Sequence, residues 1–274
     1  MSAGECLVVL VSAAAVLGHV VGTARLRDRG VQWPAYRTVL WAAGWSCVAA
    51  TSAGPFAQRA HHDFVLHMTG HILLGMLAPV LMVLAAPVTL ALRALPVAAA
   101  RTLARCTRST PMRVLTQPAI AAMLNIGGLW VLYRTGVYAA MHTEPWLHAA
   151  VHIHVLAAGF VFTFAVLGGP DPAPHRSHAA WRATTLVVAV AAHNVLAKTV
   201  YAAPPDGVTA EQAQVGGQLM YYGSAPVELL LFVLLCRSWL TPARPIRRVV
   251  PRWSRVTTWD GLRSRRASGA ARSR

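Results

Sequence analysis

Long apolar runs separated by short polar segments dominate the first 240 residues of the chain. A run of about 20 apolar residues is long enough to cross the hydrocarbon core of a bilayer as a helix. Seven such runs occur, at about 5–24, 36–54, 63–84, 118–140, 146–168, 179–203 and 212–235. They predict an all-α polytopic membrane protein with seven transmembrane helices in one membrane domain, 1–240. The stretch 87–106 is also apolar, but Arg93, Pro96, Arg101 and Arg105 interrupt it. It reads as an amphipathic helix lying in the interface. From 241 to 274 the apolar pattern stops, and the sequence predicts an Arg-rich, disordered tail.

Charge gives these spans a direction. Only 12% of the 274 residues are charged, about half the share in soluble domains. The cations are 24 Arg and a single Lys, and the net charge is +16. With the N-terminus outside, 22 of these 25 cations fall on the cytoplasmic side, as the positive-inside rule requires. Seven spans then leave the tail cytoplasmic, where its Arg residues are drawn to anionic lipid. Arg residues sited between apolar spans argue against nucleic acid as a partner. No Lys or Arg precedes Arg25, and Glu5 stands where a signal peptide would be basic. The first run therefore reads as a retained helix rather than a cleaved leader. The four cysteines form no C-x-x-C pair, which points away from a thiolate metal site.

Twelve histidines are many for such a chain, because ionisable groups inside spans are costly and need a reason. His67 and His71 open the third run, and His148 and His152 open the fifth. Each pair is spaced i, i+4 and so shares a helix face. Both helices enter from the outer side in the charge-derived topology. At about 1.5 Å per residue, both pairs lie in the outer leaflet. His193, before the outer end of the sixth run, and Met220, within the seventh, reach a similar depth. Imidazole and thioether donors suit a transition metal, with copper favoured over magnesium or calcium. His61, His62 and His142 fall in outer loops and are read as solvated. His175 and His178 fall in a cytoplasmic loop, and His19 lies away from the cluster. No nucleophile, phosphate loop or carboxylate pair points to an enzyme.

Three blocks carry a family resemblance. The first is His67-Met68-Thr69-Gly70-His71, followed by Leu77-Ala78-Pro79 and by Ala86-Pro87-Val88-Thr89-Leu90 with Arg93. The second is His148-x-x-x-His152 with Gly168-Gly169-Pro170-Asp171-Pro172. The third is Glu211-Gln212 with Gly217, Leu219, Met220 and Tyr221. Together they resemble the caa3-type cytochrome c oxidase assembly factor family over roughly residues 30–240. The chain differs in having Tyr221 where that family often has Trp, and Gly216-Gly217 for Ala-Gly. The resemblance implies a factor of the bacterial plasma membrane that matures a haem-copper oxidase. It implies copper as cargo and oxidase subunits or other copper chaperones as partners. His67, His71, His148, His152 and Met220 match its motifs, while His193 rests on depth alone. Two other readings remain open on the residues: a bis-His haem b electron carrier, and a transporter with a histidine-lined path.

Overall fold

A computed structural model of the chain describes residues 2–240, so the tail expected at 241–274 lies outside the described residues. Among the described residues every regular element is helical. The helices are α1 (Ala3–Asp28), α2 (Ala35–Ser52), α3 (Gly54–Ala60), α4 (Phe64–Leu84), α5 (Pro87–Ala94), α6 (Val97–Thr107), α7 (Thr110–Leu115), α8 (Pro118–Arg134), α9 (Val137–Thr143), α10 (Pro145–Leu167), α11 (Ala179–Ala202) and α12 (Ala210–Leu240). Five of them, α1, α4, α10, α11 and α12, are long and apolar enough to cross a membrane. Helices α8 and α9 make a sixth candidate if they are one span, bent by 76° at Thr135–Gly136. A helix also occupies the remaining expected run, but α2 carries Arg37 and four Ser or Thr residues and does not match the others in apolar character.

Local chemistry sets the helix boundaries. At the start of α1, Ser2 Oγ accepts from Glu5 N, and Ser2 N donates to the Glu5 carboxylate in return, a reciprocal N-cap. Asp63 caps α4 by accepting from Val65 N and Leu66 N. The single interfacial helix expected at 87–106 is instead two, α5 and α6. Pro96 lacks an N–H and forces Leu95 into an extended conformation (ψ 156°), which ends α5. Three helices contain a π-helical turn, at Ile72–Leu77 in α4, Met123–Gly127 in α8 and Leu219–Gly223 in α12.

One apolar core is built where α4, α10, α11 and α12 converge, with Val80, Val83, Phe162, Val166, Leu186 and Leu231 buried together. Helices α1 and α2 pack as a pair alongside α4. There His19 stacks on Trp41 with ring centroids 5.5 Å apart, and Trp41 Nε1 donates to the Ala15 carbonyl. Outward-facing Leu7, Leu10, Leu17, Val39, Val188 and Leu229 are exposed, as lipid contact requires. The approach of α4 to α10 depends on two small residues. A Cβ on Gly159 would collide with the Gly75 carbonyl oxygen, so the absence of both side chains brings the backbones together.

At the end of α10 the chain reverses through Gly168, which adopts φ +62°. Asp171, buried just after this turn, accepts from Val88 N, Thr89 N and Thr89 Oγ1 at 2.6–3.1 Å. It thereby caps α5, which begins after Ala86 in the left-handed region. Arg182, on α11, donates from Nη1 to the carbonyls of Val166 and Leu167 and closes the C-terminus of α10.

Candidate functional site

At the opposite end, the first turns of α4 and α10 face each other. Asp63 fixes the start of α4, so His67 and His71 follow one and two turns in. Pro145 opens α10 and sets His148 and His152 in the same way. The Gly75–Gly159 contact then holds the two faces at short range. A cavity of about 40 Å³ lies between them, lined by His61, His67, His71, His142, His148 and His152, with Tyr133 and Met141. Four of the six residues singled out in the sequence therefore share one cavity. It has room for an ion or a water but not for an organic molecule.

Hydrogen bonds fix which nitrogens are available. His152 Nδ1 lies 3.0 Å from the His148 carbonyl, and His142 Nδ1 lies 2.8 Å from the Tyr138 carbonyl. A carbonyl only accepts, so each Nδ1 carries the proton and each Nε2 keeps its lone pair. His67 Nε2 is 3.1 Å from the Tyr133 hydroxyl. The His148 ring stands 4.1 Å from that of His152 and 4.5 Å from that of His61, centroid to centroid. Burial, and then the neighbouring His142 and His62, hold His61 below the ordinary histidine range. This favours its neutral form, the form that binds metals. Among the described residues no three His, Cys, Asp or Glu side chains are grouped so as to hold a metal ion. The cavity thus offers pairs of donors rather than a closed cage.

His193 and Met220 do not join this cavity. His193 is buried on α11, with its ring centroid 5.9 Å from that of His71. With His71, Asn125, Thr163 and Glu228 it lines a second space of about 30 Å³. Its Nδ1 lies 2.9 Å from Glu228 Oε1, a charge contact that is not aligned as a hydrogen bond. His71 lines both spaces. Met220 is fully buried in an apolar cluster with Phe64, Met68, Leu196, Ala197 and Val200. The thioether at the first cavity is Met141 instead.

Sequence reasoning placed His61 and His142 in solvated loops; His142 is exposed on α9 and His61 half-buried at the end of α3, and both also line the cavity. A signal for them existed: His61 precedes His67 by six residues, and His142 precedes His148 by six. His154 turns away and meets the Leu124 carbonyl at 3.1 Å. That carbonyl belongs to the π-helical turn of α8, where the regular ladder is broken. His62 is exposed.

Residues 17–242 match the family of cytochrome c oxidase caa3 assembly factors. Among curated proteins, the chain is 28% identical over 167 residues to an uncharacterised protein of Mycobacterium leprae (strain TN), covering 58% of this chain and 25% of that protein. It is 30% identical over 177 residues to uncharacterised proteins of Mycobacterium bovis (strain ATCC BAA-935 / AF2122/97) and Mycobacterium tuberculosis (strain CDC 1551 / Oshkosh), covering 61% of this chain and 27% of each of them. The chain thus spans about a quarter of the length of the curated relatives it matches. No solved structure matches it.

Proposed function

We propose, from the premise that the chain belongs to the cytochrome c oxidase caa3 assembly factor family, that it carries Cu(I) as cargo for a haem-copper oxidase and plays no catalytic part. The observation that carries this reading is the six-histidine cavity between α4 and α10. The donor set fits the ion. His142 and His152 present Nε2 lone pairs, and Met141 adds a thioether. Soft and borderline donors without a carboxylate in the cavity favour Cu(I) over hard cations. Weak, paired donors suit a carrier, because cargo leaves by exchanging one imidazole at a time for a ligand of the recipient.

In this reading the protein lies in the bacterial plasma membrane with seven spans, counting α2 and the bent α8–α9 pair. The N-terminus and the histidine cavity face outward, and the tail is cytoplasmic on anionic lipid. His67, His71, His148 and His152 receive the ion, His193 extends the path through His71, and Met220 packs behind α4. The partners are oxidase subunits or other copper chaperones, meeting the cavity mouth. Haem b finds no comparable fit: a space of about 40 Å³ admits no porphyrin, and the His148 and His152 rings lie against each other.

The test is copper content by elemental analysis, with an optical spectrum, on protein from copper-supplied cells. The comparison is the His67→Ala/His71→Ala/His148→Ala/His152→Ala variant. Copper in the parent and none in the variant, with a fall in oxidase copper in cells carrying the variant, is the expected outcome. A Soret band that vanishes in the variant moves the assignment to haem. Metal-free parent protein overturns the cargo reading.

A further inference from the structure

We propose that His71 and His193, backed by Glu228, form a second, two-imidazole station for one Cu(I) ion, one step deeper in the bundle than the six-histidine cavity and loaded from it through His71. The proposal rests on the copper reading above and extends it to a pair of sites. His71 is 7% exposed and His193 2%, and both leave Nε2 without a hydrogen-bond partner. A buried polar nitrogen left unpaired costs about 1–3 kcal/mol, so two of them on one small space call for an occupant. That space is about 30 Å³, enough for one ion or one water and nothing larger.

The spacing of the two rings, which lie stacked, admits an ion between two imidazoles. A metal–imidazole bond is about 2 Å, so two rings placed across one ion stand with centroids about 6 Å apart. His71 and His193 stand at 5.9 Å with their planes 29° apart. Glu228 supplies what such a pair lacks. A lone pair on His193 Nδ1 facing a carboxylate oxygen at 2.9 Å would be repelled, so Nδ1 carries the proton and Nε2 the lone pair. The carboxylate is itself held by Ser224 Oγ, which donates to Oε1 at 3.2 Å. The contact is not aligned as a hydrogen bond, and a turn of the His193 ring would bring it to the arrangement in which a carboxylate orients a ligating histidine from behind. One carboxylate and one monovalent cation also sum to no net charge, which suits a site this deeply buried. A second outlet follows for His71: it lines both spaces, so an ion can pass along it without entering lipid.

The test is an anaerobic Cu(I) titration of the full chain in detergent against a competing chelator. The parent is expected to take two equivalents. His193→Gln takes one, with the affinity of the remaining site unchanged, which also reports an intact fold. Glu228→Leu weakens the second equivalent by about 10–100-fold, and Glu228→Gln, which keeps an acceptor oxygen, restores most of it. His148→Gln/His152→Gln loses the first equivalent and keeps the second. A parent with one equivalent, untouched by His193→Gln and Glu228→Leu, overturns the second station and leaves the copper reading standing. Loss of all copper in His193→Gln and Glu228→Leu alike, at the parent's melting profile, means one shared site and also overturns it. A parent that takes no copper overturns both.

Discussion

At one end of the bundle Asp171 accepts three hydrogen bonds and Arg182 closes two carbonyls. At the other end His71 and His193 are buried just as deeply, yet neither Nε2 has a partner. Both ends bury polar side chains in a largely apolar interior, and the difference lies in where the bonding capacity is spent. The Asp171 end uses the carboxylate to anchor the α5 cap to the turn after α10. The histidine end leaves Nε2 atoms unpaired, at a cost in stability that a bound ion or water would recover. Arg182 Nε and His19 Nε2 also lack partners, so what singles out the histidine end is that its unpaired nitrogens belong to rings lining small enclosed spaces.

The sharpest way to break the contrast is to disturb what both ends share, the close packing of α4 on α10. Gly159→Leu places a side chain into the Gly75 carbonyl, and overpacking of this kind costs about 3 kcal/mol. Thermal unfolding in detergent should fall by several degrees, and Cu(I) binding should be lost with it because the two histidine faces are forced apart. A variant that melts early but binds copper like the parent would show that the Gly75–Gly159 contact does not position the site.

The next two changes should separate the ends. His148→Ala/His152→Ala removes two half-buried rings and should lower Cu(I) affinity at the six-histidine cavity by about 100-fold, equivalent to about 2.7 kcal/mol. Stability should hardly move. Asp171→Ala should do the reverse. It strips the cap from α5 and leaves two part-buried N–H groups unpaired, a loss of about 2 kcal/mol in unfolding free energy. Cu(I) affinity of the folded fraction should stay at the parent's value. If Asp171→Ala weakens copper binding by tenfold at unchanged melting temperature, the division between the two ends is wrong.

Much of this division is legible in the sequence, and the illegible parts have physical causes. The i, i+4 pairs His67/His71 and His148/His152 are visible because one helix face carries both members. The blocks around Pro87 and Asp171 are visible as motifs, but their meeting through a cap 82 residues apart needs the fold. His61 and His142 read as loop residues because α3 and α9 are too short to leave an apolar period. Met220 matches a motif and a depth, yet depth along a helix says nothing about azimuth, and its side chain turns into the Phe64–Met68 cluster. The π-helical turns rotate the residues beyond them by an amount no periodicity announces. Leu95-Pro96 is the exception: the break between α5 and α6 is written in the dipeptide.

The smallest predicted effect is also the one that sets the two ends most directly against each other. Tyr133 is buried, and its hydroxyl meets His67 Nε2 at 3.1 Å. Here the histidine cavity resembles the Asp171 end, since a side-chain hydroxyl ties up an Nε2. Tyr133→Phe removes the hydroxyl with little change in shape, at a cost of about 1 kcal/mol for the lost hydrogen bond. The same change releases His67 Nε2, and an ion no longer has to displace the hydroxyl, so Cu(I) affinity should rise by about fivefold, the equivalent of about 1 kcal/mol. The two readouts therefore move in opposite directions: a lower melting temperature without copper, and a larger copper-induced gain in melting temperature. If instead both stability and affinity fall, the Tyr133 hydroxyl orients His67 for the ion, and the rule that free lone pairs mark the site must give way at that residue to one in which a hydrogen-bonded imidazole is the better ligand.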